Sequence, residues 1–396
     1  MVESQYEEMK SDKTVIYFGN VLYPDLDAAS HRTIGNAKAL RKLGYRVILI
    51  GTRKGETRSF FETKESFSGF DIYYFPDPQT PKQWKDYLFH YRPLKTIVDC
   101  FPQIEAVILY NHPSISTRNI ISYCHKHSIK VYADCTEWFD PQGISVHNLI
   151  KRLDTWYRMK VVNAKLDGVI AISSFLQDFY IKKGCKTICV PPLIDMTDSK
   201  WAKEGLDDYI PSDETVKLCY VGNPGAGVKD KLNYILTSLK RALEKNPSLK
   251  CQLSIVGMTA QQYYEVFQDD ATIYTFANFM GRKPNMEALA VVKRSDFSIF
   301  LRERNLVCTA GFPTKFSESI ACGTPVLTNL SSDLDKYLVN GKNGFIMDIS
   351  SKDSLDSSLA KALQTSREEL KRMKEYCCNE KTFDYHSYVG EFSKMF

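Results

Sequence analysis

A chain of 396 residues has room for two domains. With 43% apolar and 25% charged residues it has the composition of a globular protein, not of a collagen, a coiled coil or a disordered chain. Lys and Arg number 52 against 47 Asp and Glu, and the resulting net charge of +5 calls for no nucleic-acid partner. No apolar run approaches the ~18 to 20 residues of a membrane span. The opening MVESQYEEMKSDK is polar and lacks the core of a signal peptide, so a cytoplasmic protein is expected.

In chain order, TVIYFG from Thr14 reads as a strand. A helix from about Ala28 to Leu43 follows, with Ala29, Ile34, Ala37, Leu40 and Leu43 on one face and Gly44 as its stop. RVILIG from Arg46, DIYYF from Asp71, AVILY from Ala106, KVYAD from Lys130 and GVIAIS from Gly168 read as further strands. This alternation is the βαβ rhythm of a parallel sheet. A polar stretch from Met196 to Thr215 without periodicity reads as a linker. The rhythm then restarts with KLCYVG from Lys217, a helix from about Asp230, CQLSIVG from Cys251, ATIYTF from Ala271, DFSIFL from Asp296, TPVLTN from Thr324 and GFIMD from Gly344. The expected class is α/β, with two Rossmann-like, doubly wound domains meeting at a cleft. In such sheets ligands bind beyond the carboxyl ends of the strands, where strand order reverses. The chemistry is therefore sought in the loops that follow strands.

Two of those loops carry suitable residues. VGNPGAGVKDK places Gly222, Gly225 and Gly227 ahead of a helix, with Lys229 beside them, an arrangement that admits a phosphate to backbone N–H groups. It has neither Walker nor dinucleotide-fingerprint spacing, and an ordinary glycine-rich turn fits it equally. In LRERNLVCTAGFPTKFSESIACGTPVLTN, Arg302 stands just past a strand. Gly311, Phe312 and Pro313 form a turn there, and Thr314 is placed to cap a helix bearing Lys315 and Glu318. Arg302 and Lys315 suit a diphosphate and Glu318 suits a pair of sugar hydroxyls; spacing alone also fits a solvated helix with a Lys/Glu pair.

The stretch SESIACGTPVLTN, with GFPTK before it and YLVNGKNGF after it, resembles the nucleotide-sugar domain of GT-B glycosyltransferases, more narrowly the retaining family-four type of bacterial polysaccharide assembly. DAASHRTIGNAKALRKLGYRVILIG and DGVIAISSF resemble the other half of that fold. The resemblance implies a donor domain at 199–381, an acceptor-side domain at 1–198, and a segment 382–396 that crosses back to the first domain on Phe383, Tyr385, Tyr388 and Phe392. It implies a sugar passed from a nucleotide diphosphate sugar, UDP before GDP, to a glycan or a polyprenyl-diphosphate-linked oligosaccharide, with retention. Cell-surface polysaccharide or capsule synthesis at the inner membrane face is the setting it suggests.

By position, Glu318 matches the family glutamate on the donor ribose, while the glutamate expected seven residues earlier is Ala310. Lys229 matches the lysine on the leaving diphosphate. The arginine usually found with it is Asn223, and Arg302 is expected to supply that charge. Gly222, Asn223, Gly281 and the segment Gly311 to Lys315 thus form the expected donor site, with Lys229, Arg302 and Glu318 as its catalytic groups. Ala28, Ala29 and Arg32 fall on the loop that meets phosphates and acceptor. Asp134 and Glu137 follow a strand and are expected to face the acceptor, with Thr136 where relatives carry a histidine.

The eleven cysteines read as reduced thiols. Cys124, His125 and His127 lack a second pair at zinc spacing, and no Asp-x-Asp pair closes a strand, so a metal-independent enzyme is expected. His31 and His112 suit structural as well as functional roles. The aromatic, basic stretch from Pro81 to Lys95 suits either a half-buried helix or contact with an anionic membrane. A non-hydrolysing epimerase of the same architecture and a catalytically silent donor-binding subunit remain as alternative readings.

Overall fold

Eight strands form the first sheet of the computed structural model, which describes residues 13–24, 27–89, 92–101, 103–140, 143, 145–201, 214–224 and 229–396. They are β1 (Thr14–Gly19), β2 (Arg46–Arg53), β3 (Glu65–Phe67), β4 (Phe70–Pro76), β5 (Ile104–Tyr110), β6 (Lys130–Cys135), β7 (Gly168–Ala171) and β8 (Thr187–Cys189). Their order is β3-β4-β2-β1-β5-β6-β7-β8, and β3 alone is antiparallel to its neighbour. The runs are apolar almost without alternation because helices cover both faces; every residue of β1 is buried.

The helix Ala28–Lys42 starts where Asp27 accepts a hydrogen bond from the Ser30 amide at 2.8 Å while Ser30 Oγ accepts from the Asp27 amide at 3.2 Å. This reciprocal cap satisfies two amides that the first turn leaves open. Gly35 lets the helix approach the chain at Leu193, whose carbonyl oxygen would lie 2.9 Å from any Cβ there.

The second sheet contains β9 (Val216–Val221), β10 (Cys251–Val256), β11 (Ala277–Gly281), β12 (Phe297–Ile299), β13 (Val326–Thr328) and β14 (Gly344–Ile346). All six are parallel, in the order β11-β10-β9-β12-β13-β14. Strand order reverses at β1 in the first sheet and at β9 in the second, so each sheet has one crevice at the carboxyl ends of its central strands.

The chain divides into two compact units, one running to Leu193 and taking up Tyr385–Phe396, the other Ile194–Asp384. The boundary expected at 198 falls inside the second unit, and most of the expected linker, 202–213, lies outside the described residues. In the first unit Tyr385, Phe392 and Met395 join the core of β1, β2 and β5. Tyr132 Oη donates to the Met395 carbonyl at 3.1 Å and its ring lies 4.6 Å from that of Phe396.

Three elements differ from the sequence reading. ATIYTF forms a 3-10 turn at Ala271–Ile273 because Asp270 accepts from the Thr272 amide at 2.9 Å, and the strand starts only at Ala277. The helix expected from Asp230 is Leu232–Lys245; Asp230 instead pairs in extended conformation with Arg302. The stretch from Pro81 makes two helices, Pro81–Phe89 and Arg92–Cys100. Cys124 is buried, His125 lies 2.9 Å from Asp167, and His127 Nδ1 lies 2.9 Å from the Tyr123 carbonyl.

Candidate functional site

At the crevice of the second unit three neighbouring strands end in glycines that adopt positive φ: Gly222 (+127°) after β9, Gly257 (+110°) after β10 and Gly281 (+65°) at the end of β11. A Cβ at Gly257 would lie 2.5 Å from the Gly222 carbonyl oxygen, and one at Gly222 would lie 2.6 Å from Lys315 Cε. Only glycine permits this flat floor, across which Lys315 extends. Gly257 was not singled out in the sequence, although Val256-Gly257 repeats the Val221-Gly222 ending of the preceding strand.

Lys315 reaches Asp230, the centre of the site. The segment after the glycine-rich turn runs back along the strand end, with the Lys231 amide donating to the Leu301 carbonyl at 2.8 Å and the Glu303 amide to Lys229 at 3.3 Å. That bridge carries Asp230 into the crevice, where it is 3% exposed. Its carboxylate accepts from Tyr220 Oη at 2.8 Å and from Arg302 Nε at 3.4 Å, and is in close contact with Lys315 Nζ. Lys315 Nζ also donates to Tyr220 Oη at 3.0 Å and sits 4.1 Å above the Tyr220 ring.

Burial opposes ionisation of Asp230, but the Lys315 ammonium and the Arg302 guanidinium outweigh it and hold the carboxyl below its ordinary value. Burial likewise lowers Lys315, against the pull of Asp230. Asn329, following β13, fixes the Arg302 backbone from both sides: its Oδ1 accepts from the Arg302 amide at 2.8 Å and its Nδ2 donates to the Arg302 carbonyl at 3.1 Å.

Arg302 and Lys315 share Asp230, and the Glu318 carboxylate also acts on Lys315. Arg302 Nη1 is buried and has no hydrogen-bond partner among the described residues. A buried guanidinium N–H without an acceptor is costly, and an oxyanion placed there would satisfy it.

Lys315 and Glu318 lie one turn apart on the helix Thr314–Ala321, with Glu318 half-buried. Lys229 is half-buried beside Asp230, and Asn223 is exposed beyond Gly222. Gly225 and Gly227 lie outside the described residues. Two expectations for this loop need correction. Thr314 is the first residue of the helix rather than its cap, since Pro313 holds the cap position without a side-chain bond. Phe312, expected among the donor contacts, is buried in an aromatic cluster 5.5 Å from Tyr337 and 6.0 Å from Phe383, so its ring anchors the loop. Pro313 is buried with it, and Gly311 ends the short helix Leu306–Ala310, whose Ala310 is buried.

At the crevice of the first unit the expected acceptor residues are also corrected. Asp134, at the end of β6, is 0% exposed and Arg32 2%. Arg32 Nη2 and Nε donate to Asp134 at 2.7 and 2.9 Å, and Nη1 donates to the Val190 carbonyl at 2.8 Å. Tyr17 Oη donates to the other carboxylate oxygen. These groups are occupied by one another, so Arg32 and Asp134 fasten the strand ends instead of facing an acceptor. Glu137 is half-buried in the following loop, Ala28 is exposed and Ala29 half-buried at the helix start.

Beside them His112, Cys135, Arg158 and Asn163 line a small cavity with space for about one water molecule. His112 Nδ1 and Arg158 Nε and Nη2 have no partner among the described residues. His112 is pushed down to about 3 by burial and by the Arg158 charge. Arg158 opens a single π-helical turn, Arg158–Val162, which the sequence did not signal.

Residues 216–379 match the family model described as glycosyl transferases group 1. A comparison with curated protein sequences finds no match. Among solved structures, sucrose-phosphate synthase from Thermosynechococcus elongatus aligns with a TM-score of 0.68 at 14% identity, over 97% of this chain and 98% of that one. The trehalose 6-phosphate synthase of Burkholderia multivorans gives 0.66 at 10% over 96% and 97%. Anabaena HepE, in complex with UDP and glucose, gives 0.62 at 14% over 96% and 98%. At these identities the likeness establishes the fold.

Proposed function

We infer that this chain, a GT-B glycosyltransferase whose residues 216–379 belong to the glycosyl transferases group 1, binds the diphosphate of a nucleotide sugar at Arg302 and Lys315 and passes the sugar to a hydroxyl of a glycan or polyprenyl-diphosphate-linked oligosaccharide. One observation carries the reading: Arg302 Nη1 is a buried cationic donor without an acceptor among the described residues, at the strand-order reversal where such a sheet binds its ligand.

As the bond between the sugar C1 and the diphosphate oxygen breaks, the electron pair stays on that oxygen and negative charge grows there. Arg302, Lys315 and Lys229 are assigned to stabilise it, and fixed charges lower such a barrier because they need no reorganisation when the charge appears. Glu318, one turn along from Lys315, is assigned to the ribose hydroxyls, and Gly222, Asn223, Gly281 and Gly311 to the backbone walls of the donor pocket. UDP is the preferred nucleotide, in keeping with the UDP bound to HepE, and GDP the second. Transfer with retention in cell-surface polysaccharide synthesis completes the assignment. The paired cations fill the role a divalent metal would have at the diphosphate, so turnover is expected to persist in EDTA.

A thermal-shift series with UDP, GDP, ADP and CMP tests this directly, since a ligand at 100 times its Kd adds ~2.7 kcal/mol of stability. Stabilisation by UDP that is lost in Arg302→Ala and weakened in Glu318→Ala and Lys229→Ala is expected. No response to any nucleotide from a folded protein overturns the reading and favours a silent subunit. Epimerised donor formed without acceptor would identify an epimerase.

A further inference from the structure

The helix Val146–Tyr157 in the first unit is amphipathic in the inverted sense. Its polar side faces the protein. Asp154 accepts from the Ser114 amide at 2.9 Å and from Ser114 Oγ at 2.6 Å, Thr155 is buried, and Arg152 donates to the Gly143 carbonyl at 3.1 Å. Those bonds fix the helix about its axis. Val146, Leu149, Ile150, Leu153 and Trp156, at spacings of three and four, therefore share the outer side, each between 51% and 73% exposed. Single exposed apolar residues need no explanation, but a whole helix face of them marks an interaction surface.

The face continues sideways. The helix Ser114–Lys126 packs against both Val146–Tyr157 and Pro81–Phe89. Its Ile115 is exposed, as are Trp84 and Phe89 on the latter helix. The charges around the face are mainly positive. Arg152 flanks it, and Lys160 follows at its carboxyl end, where Lys183 Nζ donates to the Lys160 carbonyl at 3.0 Å; Lys151 lies on the side of Asp154 and Thr155, its ammonium 4.5 Å from the Phe139 ring. The exposed Asp140 lies 3.9 Å from Arg152, and the exposed Asp178 is matched by Lys182 on the same segment.

We propose that this face is a membrane-docking surface that seats the first unit on an anionic bilayer, with Leu149, Ile150, Leu153 and Trp156 in the headgroup and acyl boundary and Arg152, Lys160 and Lys183 against the lipid phosphates. A short helix with a bulky apolar side, a tryptophan and flanking cations is the form that lies in an interface without spanning it. The surface centres on this helix, with the Pro81 stretch at its margin. It deepens the reading of a membrane-held acceptor and rests on that reading for its purpose; lipid binding itself can be measured without turnover.

The test is flotation of the full chain with vesicles of equal parts phosphatidylglycerol and phosphatidylcholine, compared with phosphatidylcholine alone. Binding to the anionic vesicles that weakens with salt is expected. The double variant Leu149→Ser, Leu153→Ser should reduce the bound-to-free ratio ~100-fold, at about tenfold per buried leucine side chain, while Arg152→Ser with Lys160→Ser reduces it less. UDP-induced thermal stabilisation should be unchanged in all variants, so a failed docking surface and a failed donor site are told apart. Absence of flotation at low salt, or flotation that the leucine variants leave intact, overturns the proposal. So does a dimer in solution that these variants convert to monomer, which would give the face to a second copy of the chain.

Discussion

Both units place a tyrosine from the first strand of the sheet against a buried carboxylate at the strand-order reversal, Tyr17 on Asp134 and Tyr220 on Asp230, yet the two carboxylates do different work. In the first unit one arginine faces one aspartate, every nitrogen of Arg32 has a partner, and both side chains are sealed from solvent. In the second, two cations share one aspartate, the side chains of Arg302 and Lys315 keep 12% and 20% of their exposure, and Arg302 Nη1 lacks an acceptor among the described residues. A closed and neutral cluster holds a fold together. One with an open buried donor is what the proposed diphosphate site requires. The comparison reassigns Asp134 from substrate contact to support and brings in Asp230, which the sequence reading passed over.

The sharpest way to break this contrast is to remove each carboxylate. Asp134→Ala leaves Arg32 buried and charged without its counter-ion, and breaking such a pair costs about 3–5 kcal/mol. Chemical denaturation should show that loss with or without nucleotide. Asp230→Asn should also lower the stability of the unliganded protein, but there UDP should restore more than it adds to the wild type, since the diphosphate replaces the missing counter-charge. Equal nucleotide shifts in wild type and Asp230→Asn would show that the second cluster is as closed as the first.

Next in size is Arg302→Ala. Loss of one preorganised donor to the leaving group typically lowers turnover ~100- to 1,000-fold, and kcat should fall more than donor affinity. Asn329→Ala acts on the same group through its backbone, so it should lower kcat by a smaller factor, and Asn329→Asp, which keeps the acceptor for the Arg302 amide, should recover part of it. A full-rate Arg302→Ala enzyme would remove the open donor of the second cluster from the mechanism.

The sheets were legible because their strands are buried on both faces and announce themselves as apolar runs between glycines and caps; Asp27 and Gly44 bound the first helix almost where periodicity set it. The placement of Arg302 just past a strand and of Lys315 and Glu318 one turn apart on a helix was legible from the apolar run before the one and the spacing of the others. Asp230 was hidden in an expected helix, and nothing in DKLNYI shows that its first residues run extended beside Arg302. Asp134 was misread because sequence places a carboxylate at a strand end but does not show what has already bound it. The apolar side of Val146–Tyr157 reads in sequence like any helix packed on a core; only Asp154 and Thr155, turned inward, reveal that it faces out.

The smallest effect belongs to His112, and it tests whether the closed character of the first crevice extends to its neighbour. Burial and Arg158 hold His112 down to about 3 in the folded protein, against an ordinary value near 6.5. The unfolded chain therefore takes up a proton that the folded one refuses, so the stability present above pH 6.5 is lost as pH falls toward 3. At pH 5 that loss is about 2 kcal/mol, from 1.36 kcal/mol per unit over the interval below 6.5. His112→Gln retains a polar group to meet Ser116, which lies 3.0 Å from His112 Nε2, but does not titrate. Urea midpoints measured between pH 7 and pH 4 should decline less steeply for this variant than for the wild type. Parallel slopes would mean that His112 takes up its proton as readily in the folded protein as in the unfolded chain.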